Sequence, residues 1–205
     1  MEISWDGILG KAIPEIKMIT CYRVHIVNIV TFSDGSKYMV DVGFGGDGAT
    51  APLPLLEGHV THNIGSQEIQ LVHGTIDQQV DKSRKLWIYQ YRNGADKPWN
   101  SFYCFPEFEF LHADFEVMNC FTSTSPDCFQ TSTMLVIKFL RKADEIYGKI
   151  MLVNGEVREN TGGKTRVIKV CKTDEERVES LKEYFGITIT NEQREGIRGW
   201  RTALK

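Results

Sequence analysis

The sequence predicts an α+β fold in two parts, a β-rich part over residues 21–112 and a mixed α/β part over 113–205. Three observations carry that prediction. Residues 24–43 and 69–105 alternate apolar and polar side chains between turn residues, as half-buried strands do. The period then changes to a helical one in DFEVMNCFTSTS, from Asp114. Further strand segments follow, and they end in a capped amphipathic helix at TDEERVESLKEYFG.

Taken in order, residues 1–20 show no sustained period, and Pro14 interrupts the one stretch with helical character, so this segment is unassigned. HIVNIVTFSDGSKYMVDVGFGG, residues 25–46, reads as a β-hairpin around Asp34-Gly35. GATAPLPLLEGHV is a loop by its Pro and Gly content, IQLVHG a strand, and KLWIYQYR with WNSFYCF a strand pair around NGADKP. Asp114 is a candidate N-cap, with Phe115, Met118 and Phe121 at helical spacing before Pro126. TMLVIKFL, GKIMLV, EVREN and TRVIKVC read as strands, the middle two joined by Asn154-Gly155. In the last helix, Thr173 and Glu176 have the spacing of a capping box, Val178, Leu181 and Phe185 share a face, and Gly186 stands at the C-cap.

With 41% hydrophobic and 25% charged residues, the 205-residue chain has ordinary globular composition. A formal net charge of −3 without any Lys/Arg-dense run argues against nucleic acid or an anionic membrane surface as a partner. The N-terminal stretch lacks the basic and apolar regions of a signal peptide, and nowhere do about 18 apolar residues run together. Five cysteines, at 21, 104, 120, 128 and 171, are an odd number without C-x-x-C spacing. Reduced thiols and a cytoplasmic location are the expectation. His59 and His62 have a spacing that suits a metal, but no third ligand accompanies them, and no metal is expected.

The hairpin places chemistry according to its loop length. A two-residue turn at Asp34-Gly35 would put Asp41 opposite Asn28, on the face that His25 does not occupy. A three-residue loop Ser33-Asp34-Gly35, with Gly35 left-handed, pairs positions summing to 68 and sets Asp41 opposite Val27. His25 and Asp41 then share a face as diagonal neighbours about 7–8 Å apart, a gap that an imidazole and a carboxylate can close. The position of the glycine favours this register. A carboxylate bound to one imidazole nitrogen fixes the tautomer and leaves the other nitrogen as a base. A satisfied strand histidine beside a strand-end aspartate accounts for the same pair structurally. Gly43, Gly45 and Gly46 offer close backbone approach to a ligand or plain turn chemistry.

HIVNIV followed by YMVDVGFGG and APLPLL resembles the arylamine N-acetyltransferases, with wording closest to fungal members, and FEVMNCFTSTSP and LKEYFGITI agree with it further along. The resemblance implies a thiol-protease-like arrangement: an N-terminal helical bundle, missing here, a β-barrel over 21–112 and an α/β lid over 113–205. It implies acetyl-CoA-dependent, ping-pong N-acetylation of small aromatic amines or hydrazines by a Cys-His-Asp triad, with His25 as base and Asp41 as its orienter. Carried over residue by residue, Val24, Gly43 and Phe44 would line the substrate site, and Phe121 and Asp127 would meet coenzyme A. Asp127 departs from the family's hydroxyl residue at that place. The sixteen-residue separation of His25 and Asp41 is one longer than the family's usual form.

The family's nucleophile lies in an Arg-Gly-Gly-x-Cys-x-Glu motif upstream of the histidine, and no such motif occurs here. Cys21, four residues before His25, would stand about 13 Å away along an extended strand, too far for proton transfer. The other four cysteines carry no local mark of activation. Three readings therefore stand: an acetyltransferase, a non-catalytic barrel and lid that at most binds coenzyme A or a small ligand, and another thiol enzyme of the same Cys-His-Asp order, such as a transglutaminase-like protein.

Overall fold

The computed structural model describes residues 25–204. They divide into two compact units, one running to Phe121 and the other beginning at Thr122.

The first unit opens on the hairpin of β1 (Asn28–Thr31) and β2 (Lys37–Val40). Its register pairs Asn28 with Val40 and Thr31 with Lys37, the sum of 68 expected from the three-residue loop. The Phe32 amide donates to the Ser36 carbonyl at 2.8 Å, and the Gly35 amide to the Phe32 carbonyl at 2.9 Å. Gly35 takes φ +84°, a backbone state costly for any side chain with a Cβ. Asp34 locks the turn by accepting both the amide and the hydroxyl of Ser36.

Residues 48–60, expected to be a loop throughout, contribute the two-residue strand β3 (Leu53–Pro54), which pairs with Met39 and Tyr38 of β2. The second sheet is formed by β4 (Thr61–His62), β5 (Glu68–Gly74), β6 (Leu86–Arg92) and β7 (Asn100–Phe105), in that spatial order. β3 and β4 are too short to show a period-two pattern, which is why the sequence gives no sign of them.

The expected barrel is not formed. The unit has an open three-stranded sheet, β1-β2-β3, and an open four-stranded sheet, β4-β5-β6-β7; among the described residues no sheet closes on itself. The reason lies in the connecting segment. Pro52 and Pro54 have no amide to donate, so β3 cannot extend into a ladder. One isolated bridge, Glu57 to Leu71, reaches toward β5. Side chains join the sheets instead: Met39 and Leu53 from the first meet Ile69, Leu71, Trp87, Tyr89, Tyr103 and Phe105 from the second in one buried core.

Between β6 and β7 the register slips, so that Tyr89 faces Tyr103 while Gln90 faces Ser101. Phe102 is the extra residue of this bulge. A bulge re-aims a side chain, and Phe102 joins the core cluster beside Tyr103 instead of alternating away from it. Cys104, next along the strand, packs on the separate cluster of Ile76, Leu86 and Ile88.

Helix α1 (His112–Thr124) begins two residues before the expected N-cap; Asp114 lies in its first turn and its carboxylate accepts the Leu111 amide at 2.8 Å. In the second unit a short helix, α2 (Phe129–Ser132), precedes an antiparallel meander of β8 (Leu135–Lys142), β9 (Glu145–Val153), β10 (Glu156–Thr161) and β11 (Lys164–Val170). Asn154, at φ +54°, makes the expected turn between β9 and β10. Helix α3 (Asp174–Ser180) starts at Thr173, whose hydroxyl accepts the Glu176 amide, while Glu176 reaches one residue past the box position to the Lys172 amide. A π-helical turn, Leu181–Phe185, continues it to Gly186 at φ +73°. Leu181, Tyr184 and Phe185 pack with Leu152 and Val157 of the meander. A last helix, α4 (Asn191–Glu195), is capped by Thr190 and Gln193 in a complete capping box.

Candidate active site

His25 lies just before β1, and Asp41 just after β2. The bulged loop puts them on one face, where His25 Nε2 donates to Asp41 Oδ2 at 2.8 Å. The Asp41 side chain is 0% exposed and that of His25 22% exposed. A buried carboxylate needs partners for its lone pairs, and Asp41 has four. Its Oδ2 also accepts the Tyr103 hydroxyl at 2.7 Å, and its Oδ1 accepts the amides of Gly43 and Phe44 at 3.2 and 3.1 Å.

These bonds decide the charge state. Burial pushes the Asp41 carboxyl up, but hydrogen bonds from His25, Tyr103 and the Phe44 amide outweigh it, and the net effect holds Asp41 below the ordinary carboxylate value. Burial raises the Tyr103 hydroxyl well above its ordinary value, and the Asp41 charge raises it further. Tyr103 therefore remains a donor and Asp41 an ionised acceptor across the physiological range. An acceptor-only partner at Nε2 requires the proton on that nitrogen, so in neutral His25 Nδ1 carries the lone pair.

Aromatic rings fix the imidazole. Phe44 meets it edge-on at 5.0 Å between centroids, and Tyr103 at 5.1 Å. Phe44 in turn meets Phe102 at 4.6 Å, and Tyr103 stacks on its cross-strand partner Tyr89 at 5.0 Å. At Gly43 a Cβ would lie 3.9 Å from His25 Cε1, so its absence leaves that edge of the ring open. An imidazole held in this way, with Nδ1 unprotonated between apolar walls, has the geometry that general-base chemistry on a thiol or amine requires.

Of the residues singled out from sequence, His25, Asp41, Gly43 and Phe44 come together. Val24 and Cys21 lie outside the described residues. Phe121 is half-buried at the end of the first unit. Asp127 is exposed in the second unit, its amide donating to Ser125 Oγ at 3.3 Å. Cys128 Sγ contacts Gln130 Oε1 at 2.6 Å, and Cys171 is buried 3.2 Å from the Ser180 hydroxyl. His62 is a strand residue opposite Glu68, and among the described residues no three His, Cys, Asp or Glu side chains gather as a metal site. Among those residues, no helix is long and apolar enough to cross a membrane.

Tyr103 and Phe102 belong to the site as well, although the sequence marks them only as residues of the strand WNSFYCF. The aromatic run around them announces burial, but neither the bond to Asp41 nor the bulge has a local signature.

Residues 13–194 match the family model described as N-acetyltransferase. The chain is 35% identical over 184 residues to the N-malonyltransferase FDB2 of Fusarium pseudograminearum, an alignment covering 84% of this chain and 53% of that protein. FDB2 of Gibberella moniliformis is also 35% identical, over 182 residues and 52% of its length. The chain thus spans about half the length of the curated relatives it matches.

The fold is similar to that of the arylamine N-acetyltransferase from Salmonella typhimurium, with a TM-score of 0.69 and 23% identity over 92% of this chain and 65% of that one. The Mycobacterium abscessus enzyme gives a TM-score of 0.72 at 20% identity, covering 91% and 61% of the two chains. The Mycobacterium marinum enzyme in complex with CoA gives 0.64 at 24%, covering 92% and 60%. With the family model matching most of its length, the chain belongs to the N-acetyltransferase family.

Proposed function

We propose that the protein transfers a short acyl group from a coenzyme A thioester to the nitrogen of a small aromatic amine or hydrazine, through an acyl-cysteine, with His25 as base and Asp41 as its orienter. The observation that carries this reading is the 2.8 Å bond from His25 Nε2 to Asp41, which leaves Nδ1 basic between two aromatic rings. Nδ1 takes the proton of a cysteine thiol, and the thiolate attacks the thioester carbonyl. The C–S bond to coenzyme A breaks, and the departing thiolate takes the proton back from the imidazolium. The amine nitrogen then attacks the acyl-cysteine, giving its proton to Nδ1 as the bond to the cysteine sulfur breaks.

Gly43 and Phe44 would line the acyl and amine site with Val24, and Phe121 and Asp127 would meet coenzyme A. Acetyl-CoA is the donor implied by the family description, whereas the names of the two fungal relatives favour a malonyl group. The donor reading is supported by the family match and by the coenzyme A complex of a structural relative.

A second reading is that residues 1–205 bind coenzyme A or a small ligand without turning it over. It is favoured by the lack of an Arg-Gly-Gly-x-Cys-x-Glu motif in the sequence and by Cys104, which packs on Ile76, Leu86 and Ile88, away from the core cluster that holds Tyr103. The experiment offers the purified chain acetyl-CoA and malonyl-CoA, with and without an aromatic amine, and follows coenzyme A release, N-acyl product and acyl-protein mass. Amine-dependent product with an acyl adduct supports transfer. Calorimetric binding of coenzyme A without adduct or product supports the second reading.

A further inference from the structure

The loop that follows Asp41 is tied down at both ends. Its near end rests on Asp41 through the Gly43 and Phe44 amides. Its far end rests on two buried carboxamides from the turn after β4. Asn63, 6% exposed, donates through Nδ2 to the Gly48 carbonyl at 2.9 Å and to Gln67 Oε1 at 2.7 Å. Its Oδ1 accepts the Thr50 amide at 3.0 Å and the Thr50 hydroxyl at 2.8 Å, so every hydrogen-bonding position of the amide is filled. Gln67, 3% exposed, donates to Asp47 Oδ1 at 2.8 Å and to Asn93 Oδ1 at 3.3 Å, and the Tyr89 hydroxyl donates to the Asp47 carbonyl at 2.7 Å.

The turn does not need these side chains to close. Backbone bonds from Asn63 N to Gln67 O and from Gln67 N to Ile64 O, at 2.8 and 2.9 Å, already do so. Both amides are spent on the 47–50 segment instead. The link between that segment and Phe44 has little rigidity of its own, because Gly45 and Gly46 adopt φ +62° and +56° and bring no side chains to pack. Phe44 sits between the two anchors, edge-on to His25. Gly48 fits beneath it, where a Cβ would come within 3.1 Å of Phe44 Cβ and 2.9 Å of the Gly45 carbonyl.

We infer that Asn63 and Gln67 are positioning residues for the His25 site, clamping the 47–50 segment so that Phe44 stays against the imidazole and forms the wall on which the acyl acceptor packs. The part of this inference that concerns the acceptor rests on the proposed transferase reading; the part that concerns the loop does not. Binding energy for the acceptor depends on a wall that is already in place.

The test uses two variants of the full chain. Gln67→Met keeps length and bulk but cannot donate to Asp47. Gln67→Glu sets a carboxylate against the Asp47 carboxylate and regains a donor only when protonated. Hydrogen exchange read by NMR is expected to quicken about tenfold at Phe44 in Gln67→Met, while the β6 amide of Ile88 keeps its protection. In Gln67→Glu, protection at Phe44 relative to the parent is expected to return as pH falls through the carboxylate range.

In turnover, both variants are expected to raise the KM for the amine about tenfold while the KM for the thioester stays within about twofold. Unchanged Phe44 exchange in both variants, or equal loss at Ile88, would overturn the inference. A parent chain that transfers no acyl group to any amine refutes the transferase reading, and the exchange measurement alone then decides whether the clamp exists.

Discussion

Replacing Asp41 by asparagine tests the site at its most constrained atom. The side chain is fully buried and holds four donors, two backbone amides on Oδ1 and the Tyr103 hydroxyl and His25 Nε2 on Oδ2. In Asp41→Asn the amide oxygen keeps the two backbone bonds, and the new NH₂ group faces two former donors. Hydrogen bonds to a charged group are worth about 1.5–3 kcal/mol each, so the variant is expected to lose about 2–4 kcal/mol after the amide recovers part of the bonding. A domain of ordinary stability survives that loss.

The chemical effect is larger than the structural one. The NH₂ donates to Nε2, which moves the imidazole proton to Nδ1 and leaves no base. The wrong tautomer is expected to cost about 10⁴-fold in kcat. The assay is steady-state acyl transfer at matched folded fraction, with long-range ¹⁵N correlation of the imidazole to read the tautomer. A folded Asp41→Asn within about tenfold of wild type, or a wild-type histidine protonated on Nδ1, would refute the reasoning.

Tyr103→Phe removes one of the two donors to Oδ2 and leaves the Tyr89 stack in place; it is expected to cost about 1.5–3 kcal/mol in urea unfolding and to lower kcat less than Asp41→Asn does. The folded Asp41 carboxyl titrates below its ordinary value of 3.8, so its contribution to stability is complete above that pH and is lost as pH falls through the lower folded value. Urea midpoints measured between pH 5 and pH 2, as an order-of-magnitude window, should therefore fall more steeply for wild type than for Asp41→Asn. Gly43→Val puts bulk against the open edge of His25 at a position with ordinary backbone angles; acyl transfer is expected to drop while the melting temperature holds, and an unchanged rate would contradict an open edge there.

The hairpin register was legible because one residue controls it. Gly35 supplies the left-handed residue that closes the three-residue loop, and the loop length decides whether His25 meets Asp41 at all. The longer strands and the caps at Thr173 and Gly186 were legible for similar local reasons. Barrel closure was not. It depends on a ladder between two sheets, and the Pro52–Pro54 segment that breaks it shows only a loop in sequence. The bulge at Phe102, the Tyr103 bond to Asp41 and the bonds of Asn63 and Gln67 to the 47–50 segment all join residues that are not neighbours in the chain. No period or spacing records such pairings; side-chain chemistry selects them only once the sheets have packed.

The most direct measurement is acyl transfer from acetyl-CoA and malonyl-CoA to an aromatic amine, by wild type and by His25→Gln, with coenzyme A binding measured in parallel. If His25 is the base, wild type forms N-acyl product and His25→Gln loses about 10²–10⁴-fold in kcat/KM while binding coenzyme A as before. A His25→Gln variant that keeps the wild-type rate, or a wild-type chain that binds the thioester and transfers nothing, would contradict it.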